Sequence, residues 1–378
     1  MSTDPVSTGT EERAALADLA FRIGATYAGR SLGDEKAAEE QWRDIGRAGL
    51  AAVSLPESHG GGGDMADLCL VVERLAAGGY PAPKLTISTA VAGSILARHG
   101  TPEQRDRWLP GIGSGELRFC FAITEPGAGS NSANLATRAE RTATGWRVTG
   151  EKTYISAVDS SDVMVLVARD AASGGLSLLS IDLPDDRLAL TPVDVHVPVA
   201  ENQWTVFLDG VDLPADALIG EPGRGMRAVF DGLNPERLVV ASQAVGIGRW
   251  CLARAAAYAN ERVVFDVPIG SHQAVAHPLA ESYVALEAAW ALVGRAARLY
   301  SGGGQAGLES NVAKIAACDA GLKAADAALQ SFGGSGFTGE SMMFDRFAYL
   351  RLLRSVPVSR EMALNHVATA GLGLPRSY

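Results

Sequence analysis

Cysteine is scarce in this sequence, with four residues among 378. Cys69, Cys120, Cys251 and Cys318 lie far apart in apolar contexts, and no CxxC pair occurs. This spacing argues against a disulfide framework and a cysteine-based metal site. The six histidines show no metal-ligand spacing either, so we expect no metal site. Isolated cysteines in apolar surroundings are typical of buried free thiols in a reducing compartment.

Positive charge is also in short supply, since the 33 Lys and Arg residues are outnumbered by 43 Asp and Glu residues. The resulting net charge of -10 argues against nucleic acid or an anionic membrane surface as the main partner. No uninterrupted apolar run is long enough to cross a bilayer. Residues 1–13 are polar and acidic and lack the apolar segment of a signal peptide. We therefore expect a cytoplasmic protein that binds neither nucleic acid nor membrane.

The chain is 47% hydrophobic, as in globular proteins, and its pattern changes twice. Residues 1–117 are rich in Ala, Leu and Glu with helical periodicity, and residues 223–378 return to that pattern. Residues 118–222 contain short strand-like runs separated by turn signals. The sequence predicts an α+β protein with an N-terminal helical domain, a middle antiparallel β-barrel or sandwich, and a C-terminal helical bundle.

Short sequence patterns predict where several helices begin or end. Thr101 followed by Pro102 predicts an N-cap and first helical residue, with a short helix reaching Trp108. Asn234 followed by Pro235 predicts another helix start by the same rule. Further helices are predicted over residues 274–299, 310–331 and 349–370.

The stretch over residues 121–131 (FAITEPGAGSN) joins the first helical region to the strand-like region. An apolar strand ends at Pro126, and Gly127 and Gly129 allow the backbone to approach a ligand closely. Thr124 and Ser130 add hydroxyls beside backbone N–H donors. Such a loop can hold an anion or a flat polar ring. Taken alone, it is equally well explained as an ordinary turn.

Four motifs, taken in order, make the chain resemble the acyl-CoA dehydrogenase family over nearly its whole length. They are residues 123–130 (ITEPGAGS), 150–156 (GEKTYIS), 258–269 (YANERVVFDVPI) together with Gln273, and 330–337 (QSFGGSGF). In the family the first motif binds flavin and the second backs the isoalloxazine ring. The third reaches the flavin of the neighbouring subunit, and the fourth lies near the adenosine half. The resemblance also implies that the C-terminal region is a four-helix bundle, with domain boundaries at 1–117, 118–222 and 223–378.

The resemblance implies that the chain binds FAD. Thr124 and Ser156 would hydrogen-bond the edge of the flavin ring, and Ser130 with Arg262 would contact the pyrophosphate. Three aromatic residues of the motifs offer surfaces for stacking. The implied cofactor residues are Phe121, Ile123, Thr124, Gly129, Ser130, Tyr154, Ser156, Arg262, Phe265, Gln273, Gln330, Gly333 and Gly334.

The implied reaction is the α,β-dehydrogenation of an acyl thioester, in which a carboxylate takes the α-proton and flavin N5 takes the β-hydride. Many relatives carry that carboxylate in the last helical region, at a place that falls at or near Pro357 in this chain, where Val356 and Val358 offer no acid either. A second branch, resembling isovaleryl-CoA and long-chain enzymes, takes it from a Glu-Arg-Leu sequence, matched here by Glu236 and Arg237. We therefore expect Glu236 to be the base and Arg237 to bind substrate with Ser130. A glutamate in a first helical turn is also favoured without any catalysis.

The resemblance also implies partners: an acyl-CoA or acyl-carrier thioester of fatty or branched acyl metabolism, and an electron-transfer flavoprotein as acceptor. A homotetramer built as a dimer of dimers, or a homodimer, would complete each cofactor site. Two alternatives remain open, a flavin oxidase or monooxygenase of the same fold, and a structural partner subunit without a base. Departures from the commonest motifs mark a divergent branch: Asn131 for Asp, Tyr154 for Trp, Ser156 for Thr and Asp266 for Gly.

Overall fold

Helices dominate the chain before the first strand in the computed structural model, which describes residues 11–377. They are α1 (Glu11–Thr26), α2 (Glu35–Arg47), α3 (Met65–Gly78), a π-helical segment (Leu85–Gly93) continued by α4 (Ser94–His99), and α5 (Pro102–Ser114). The predicted start of α5 is confirmed, because Thr101 accepts a hydrogen bond from the Gln104 backbone and Gln104 returns one. The helix continues beyond the predicted end at Trp108.

The middle region forms one eight-stranded sheet in the order β6-β7-β3-β2-β4-β5-β8, with β1 paired to β4. The strands are β1 (Phe119–Ala122), β2 (Arg138–Arg141), β3 (Gly145–Ser156), β4 (Val163–Asp170), β5 (Leu176–Asp182), β6 (Leu188–Val193), β7 (Gln203–Pro214) and β8 (Leu218–Ile219). Most neighbours are antiparallel, but β1 and β2 each run parallel to β4. The purely antiparallel expectation is corrected in these two pairs, since the long connections between those strands allow parallel pairing.

The last region is helical apart from one short hairpin. It contains α6 (Met226–Glu261), β9 (Val263–Val264), β10 (Val267–Pro268), α7 (Gln273–Ser301), α8 (Gly307–Phe332), α9 (Met343–Leu353), α10 (Arg360–His366) and a π-helical turn (Val367–Gly371). Helices α6 to α9 form the expected bundle. The predicted helix over 349–370 is wrong, because the chain leaves helical geometry after Leu353 and Ser359 caps a new helix. Pro357 has no N–H to continue the first one.

The predicted helix start at Asn234 is also wrong, since α6 begins at Met226 and passes through Pro235. Pro235 cannot donate to the carbonyl of Asp231, four residues earlier. The Tyr300 hydroxyl donates to that oxygen instead, at 3.0 Å. Because the orphaned carbonyl is satisfied from α7, the helix continues, and Glu236 lies well inside it rather than in its first turn.

Close backbone packing fixes α6 within the helical core. A Cβ at Gly246 would lie 2.3 Å from the Glu73 carbonyl oxygen on α3. A Cβ at Gly248 would lie 3.1 Å from the Cα of Gly321 on α8. These glycines are needed because neighbouring backbones occupy the space of a side chain. No helix in the described part of the chain is long and apolar enough to span a membrane. Residues 11–377 also contain no cluster of His, Cys, Asp and Glu able to hold a metal ion.

Candidate active site

The loop after β1 is fastened to β3 by main-chain and side-chain bonds. The Thr153 N–H donates to the Thr124 carbonyl oxygen at 2.9 Å, and the Thr124 hydroxyl donates to the Thr153 carbonyl oxygen. Beneath them, the fully buried Lys152 donates to Glu125 at 2.8 Å and to the Ile123 carbonyl oxygen at 3.0 Å. The structure therefore unites the first two sequence motifs in one rigid assembly.

Glu125 is the centre of this assembly. Besides Lys152, its carboxylate accepts from the backbone N–H groups of Ala136 at 2.6 Å and Thr137 at 3.0 Å. Burial opposes ionisation, but the hydrogen bonds from Lys152 and Thr137 outweigh it, and the pKa of Glu125 is lowered. Burial lowers the pKa of Lys152 to about 8, against the pull of Glu125. Both groups are therefore charged at neutral pH.

The loop leaves open space where a ligand would lie. A Cβ added at Gly127 or Gly129 meets no atom within 4 Å, so neither glycine is required by packing within the chain. Tyr154 follows Thr153, the residue bonded to Thr124; it is 63% exposed and has a left-handed backbone with φ of 56°. Ser156 is held by Gln203, whose amide nitrogen donates to its hydroxyl at 2.9 Å. Open glycines, hydroxyls and an uncovered ring fit a flat polar cofactor at this surface.

A second group of predicted cofactor residues lies at the far end of the bundle. Arg262 follows α6 and is exposed, and its guanidinium makes no hydrogen bond or ion pair within residues 11–377. Phe265 is 87% exposed, at a hairpin turn where it and Asp266 both have positive φ. Phe332 stacks on Tyr258 with ring centroids 4.5 Å apart, which brings the glycine loop to the end of α6. The exposed members on α7, α8 and that loop are Gln273, Gln330, Gly333 and Gly334.

The two groups lie far apart within one chain. Phe121 and Ile123 pack against the same hydrophobic cluster as Leu233, near the first turns of α6. Arg262 follows the last turn of that 36-residue helix. At 1.5 Å per residue, about 40 Å of helix axis separates Glu236 from Arg262.

Glu236 lies one turn beyond Leu233 and is only 7% exposed. Its Oε2 atom is buried and has no hydrogen-bond partner. Burial raises the pKa of Glu236 to about 7, although the charges of Arg237 and Lys314 act in the opposite direction. Arg237 is equally buried and donates to the Asn234 side chain at 2.7 Å. A buried, unpartnered carboxyl that titrates near neutrality is suited to proton abstraction.

Lys314 of α8 connects Glu236 with the loop in which Pro357 stands. The ammonium group is buried and donates to the carbonyl oxygens of Val358 at 2.7 Å and Arg354 at 3.1 Å. The same charge opposes the rise in the pKa of Glu236 that burial causes. The two places considered for the base therefore converge in the fold, and only Glu236 supplies a carboxylate.

Three contributors to the site were absent from the sequence-based prediction. Glu125 and Lys152 belong to the quoted motifs, but the sequence carried no signal that the loop after β1 pairs with β3 through these two side chains. Lys314 stands on the Ala-rich buried face of α8, together with Asn311. Polar residues on such a face indicate a special role, although the sequence could not show that the partner is a loop 40 residues later.

Comparisons with known proteins agree with this architecture. Family models for the N-terminal, middle and C-terminal domains of acyl-CoA dehydrogenase match residues 11–116, 120–207 and 223–371. These three domains define a flavin-dependent dehydrogenase. The chain belongs to the acyl-CoA dehydrogenase family and is an oxidoreductase.

The individual relatives cover all or nearly all of the chain. Acyl-CoA dehydrogenase FadE12 of Mycobacterium tuberculosis (strain ATCC 25618 / H37Rv) is 42% identical over 100% of both chains. A glutaryl-coenzyme A dehydrogenase solved as its glutaryl-CoA complex is 28% identical with a TM-score of 0.91, covering 100% of this chain and 98% of its own. A glutaryl-CoA dehydrogenase from Mycobacterium smegmatis in complex with FADH2 shares the fold at 24% identity and a TM-score of 0.90, covering 98% and 96%.

Proposed function

We propose that this protein is an FAD-dependent acyl-CoA dehydrogenase that converts an acyl thioester into its 2,3-enoyl thioester. The observation that carries the proposal is the buried, unpartnered Glu236 carboxyl, one helical turn after Leu233, which packs in the same hydrophobic cluster as Phe121 and Ile123. Its position inside α6 makes a mere helix-start role untenable, because the favourable effect of the helix dipole is confined to the first turn.

The residues of the chain divide the work as follows. Glu236 in its ionised form takes the α-proton of the thioester. Arg237 and Lys314 hold positive charge near the carboxylate, and the helical core around them excludes water. Thr124, Ser130 and Ser156 would hold the polar edge and phosphates of FAD, with Phe121 and Tyr154 against the ring. FAD supplies the hydride acceptor when bound.

We predict a pH dependence governed by Glu236. Only the ionised base abstracts a proton, so kcat/KM rises with pH through about 7, the raised pKa of this carboxyl, and then levels off. Measuring kcat/KM with one acyl-CoA at closely spaced pH values tests this. An acidic limb near pH 4.5, the ordinary value for the group, would contradict the role of a desolvated base.

The function itself is tested by anaerobic titration of the purified FAD-loaded protein with a panel of acyl-CoA thioesters and matching acyl-carrier thioesters. Bleaching of the flavin absorbance and formation of the 2,3-enoyl product would support it. Re-oxidation by electron-transfer flavoprotein rather than by oxygen separates a dehydrogenase from an oxidase. A panel in which no thioester bleaches the flavin contradicts the proposal.

We further propose that two copies complete each cofactor site. Glu236 and Arg262 are separated by about 40 Å of one helix, so Arg262 and its neighbours serve the cofactor of an adjacent subunit. A homodimer, or a dimer of such dimers, satisfies this arrangement. The buried thiols agree with a cytoplasmic, reducing environment.

Mixing two inactive variants tests the shared site. Glu236→Gln lacks the base, and Arg262→Ala lacks the charge that the neighbour's pyrophosphate needs. In a mixed dimer, one site receives Glu236 from the Arg262→Ala chain and Arg262 from the Glu236→Gln chain. Co-expression at equal levels should restore about one quarter of wild-type activity, because half of randomly paired dimers are mixed and each has one complete site. Absence of restored activity would place both residues in one chain's site.

A further inference from the structure

A second buried carboxyl, that of Glu201, takes no part in the chemistry assigned above. It lies at the end of the loop joining β6 to β7, which packs Val199 and Ala200 against the helical core. Part of the residue reaches the surface, but its Oε1 atom is buried and has no hydrogen-bond partner. Burial raises the pKa of this carboxyl, against the charge of Lys84. A polar atom buried without a partner in this way calls for a physical explanation.

Two small adjoining cavities are lined by Glu201. One is bounded by residues of all three regions of the chain, namely Leu32, Ala38, Tyr80, Pro81, Pro83, Val199, Ala200 and Tyr349, and the other lies towards α2 and Lys84. The donors around them are already engaged. Tyr80 donates to the Asp34 carbonyl oxygen at 3.3 Å, and Lys84 is paired with Glu39. A ligand that brings its own donor would therefore satisfy Oε1.

A chain of buried polar groups joins this cavity to the face of α6 that carries the base. The Tyr349 hydroxyl donates to Gln243 at 2.7 Å, and Gln243 donates to the Thr86 hydroxyl at 2.9 Å. Gln243 follows Glu236 by two helical turns on the same face, about 10 Å along the axis. Val240, also buried, lies between them. An acyl group with its α-carbon at Glu236 and its tail along this face would reach Tyr349, which lines the same cavity as Glu201.

We propose that Glu201 closes the far end of the acyl-binding pocket and selects thioesters whose acyl tail ends in a hydrogen-bond donor, a hydroxyl or an ammonium group. The unpartnered oxygen of this carboxyl can accept a hydrogen bond whether or not the other oxygen carries a proton, which defines the class of group it takes. A plain alkyl tail would leave the acceptor desolvated and unpaired, and sites built for a hydrogen bond discriminate strongly against ligands that lack it. This inference rests on the proposed function of the same site.

The test compares three acyl-CoA series of equal chain lengths, with tails ending in methyl, hydroxyl or ammonium. Wild type, Glu201→Leu and Glu201→Gln are loaded with FAD. The dissociation constant is measured by calorimetry on proteins that also carry Glu236→Gln, and the rate of flavin bleaching on proteins that keep the base. Wild type should favour one donor-tailed series about 10- to 100-fold over methyl at its best length. Glu201→Leu should reverse that preference.

Glu201→Gln separates the two donors, because it keeps an accepting oxygen but removes the charge. A hydroxyl preference should survive this substitution, whereas an ammonium preference should be lost. The inference is overturned if the ratio of affinities for methyl-tailed and donor-tailed thioesters is the same in wild type and Glu201→Leu at every length. A cavity that holds only water would give that result. If Glu201→Leu does not fold, the wild type alone decides: binding methyl tails as tightly as, or more tightly than, donor tails at every length overturns the inference. Failure of every series to bleach wild-type flavin would instead contradict the proposed function.

Discussion

Glu236→Gln is expected to slow flavin reduction by an acyl-CoA substrate about 10²- to 10⁴-fold while FAD remains bound. The amide has the size of the carboxyl but cannot accept the α-proton, and general base catalysis contributes about this factor. Stopped-flow absorbance under anaerobic conditions measures the rate. Glu236→Asp is the matched control, since it keeps a carboxyl group but moves it back by one methylene. Its rate of flavin reduction should fall less than that of Glu236→Gln. A Gln variant that bleaches at the wild-type rate would remove Glu236 from the mechanism.

The same substitution should make the protein more stable above neutrality. Burial raises the pKa of Glu236 from 4.5 to about 7, so between these pH values the folded state holds a proton that the unfolded chain has released. Stability therefore falls as pH rises through this window. Gln carries no such cost, and Glu236→Gln should raise the free energy of unfolding at pH 8 by about 1–3 kcal/mol, with little change at pH 4. Chemical denaturation at the two pH values measures the difference.

Lys152→Met is expected to lose bound FAD and to lower the free energy of unfolding by about 3–5 kcal/mol. The substitution leaves Glu125 buried without its cation, and breaking a buried ion pair from one side has about this cost. The loop carrying Thr124 also loses the bond from Lys152 to the Ile123 carbonyl oxygen. Flavin content after gel filtration and denaturant titration of the apoprotein measure the two effects separately.

A double substitution separates charge from geometry in this pair. Adding Glu125→Gln to Lys152→Met removes the orphaned charge and keeps an oxygen that can accept from Thr137. Most of the lost stability should return, because replacing both partners of a buried pair is far less costly than replacing one. The surface pair Arg147 and Asp212 serves as a control, since exposed pairs contribute about 0–1 kcal/mol. Equal losses in the single and double variants would contradict the assigned role of the pair.

Local structure could be predicted from the sequence where the interacting residues lie close together in the chain. Thr101 and Gln104 cap each other within one turn, so the start of α5 was predictable. The helix start predicted from Pro235 was wrong for the opposite reason. The hydroxyl that donates to the Asp231 carbonyl oxygen in place of the missing N–H belongs to Tyr300, far along the chain. The parallel pairing of β1 with β4 likewise depends on strands brought together only by the whole fold.

The candidate site divides in the same way. The four motifs predicted which residues would surround a flavin, and a three-residue match selected Glu236. They could not predict its burial, which depends on α6 continuing through Pro235. The support that Lys314 gives to the loop of Pro357 was equally hidden, since it joins α8 to a segment after α9. The catalytic role of Glu236 and the cofactor contacts of the exposed residues stay predictions until the variants are measured.

The four buried thiols can report on local unfolding of the cores in which they lie. Burial raises the pKa of Cys69, Cys120, Cys251 and Cys318 to about 12, so almost no thiolate exists in the native state near neutral pH. Cys120 belongs to the core on one face of the sheet, and the other three belong to the helical core. A thiol-specific dye added to the unmodified protein would therefore label each core only as it opens. Peptide mapping of the labelled sites over time would show which part of the molecule opens first.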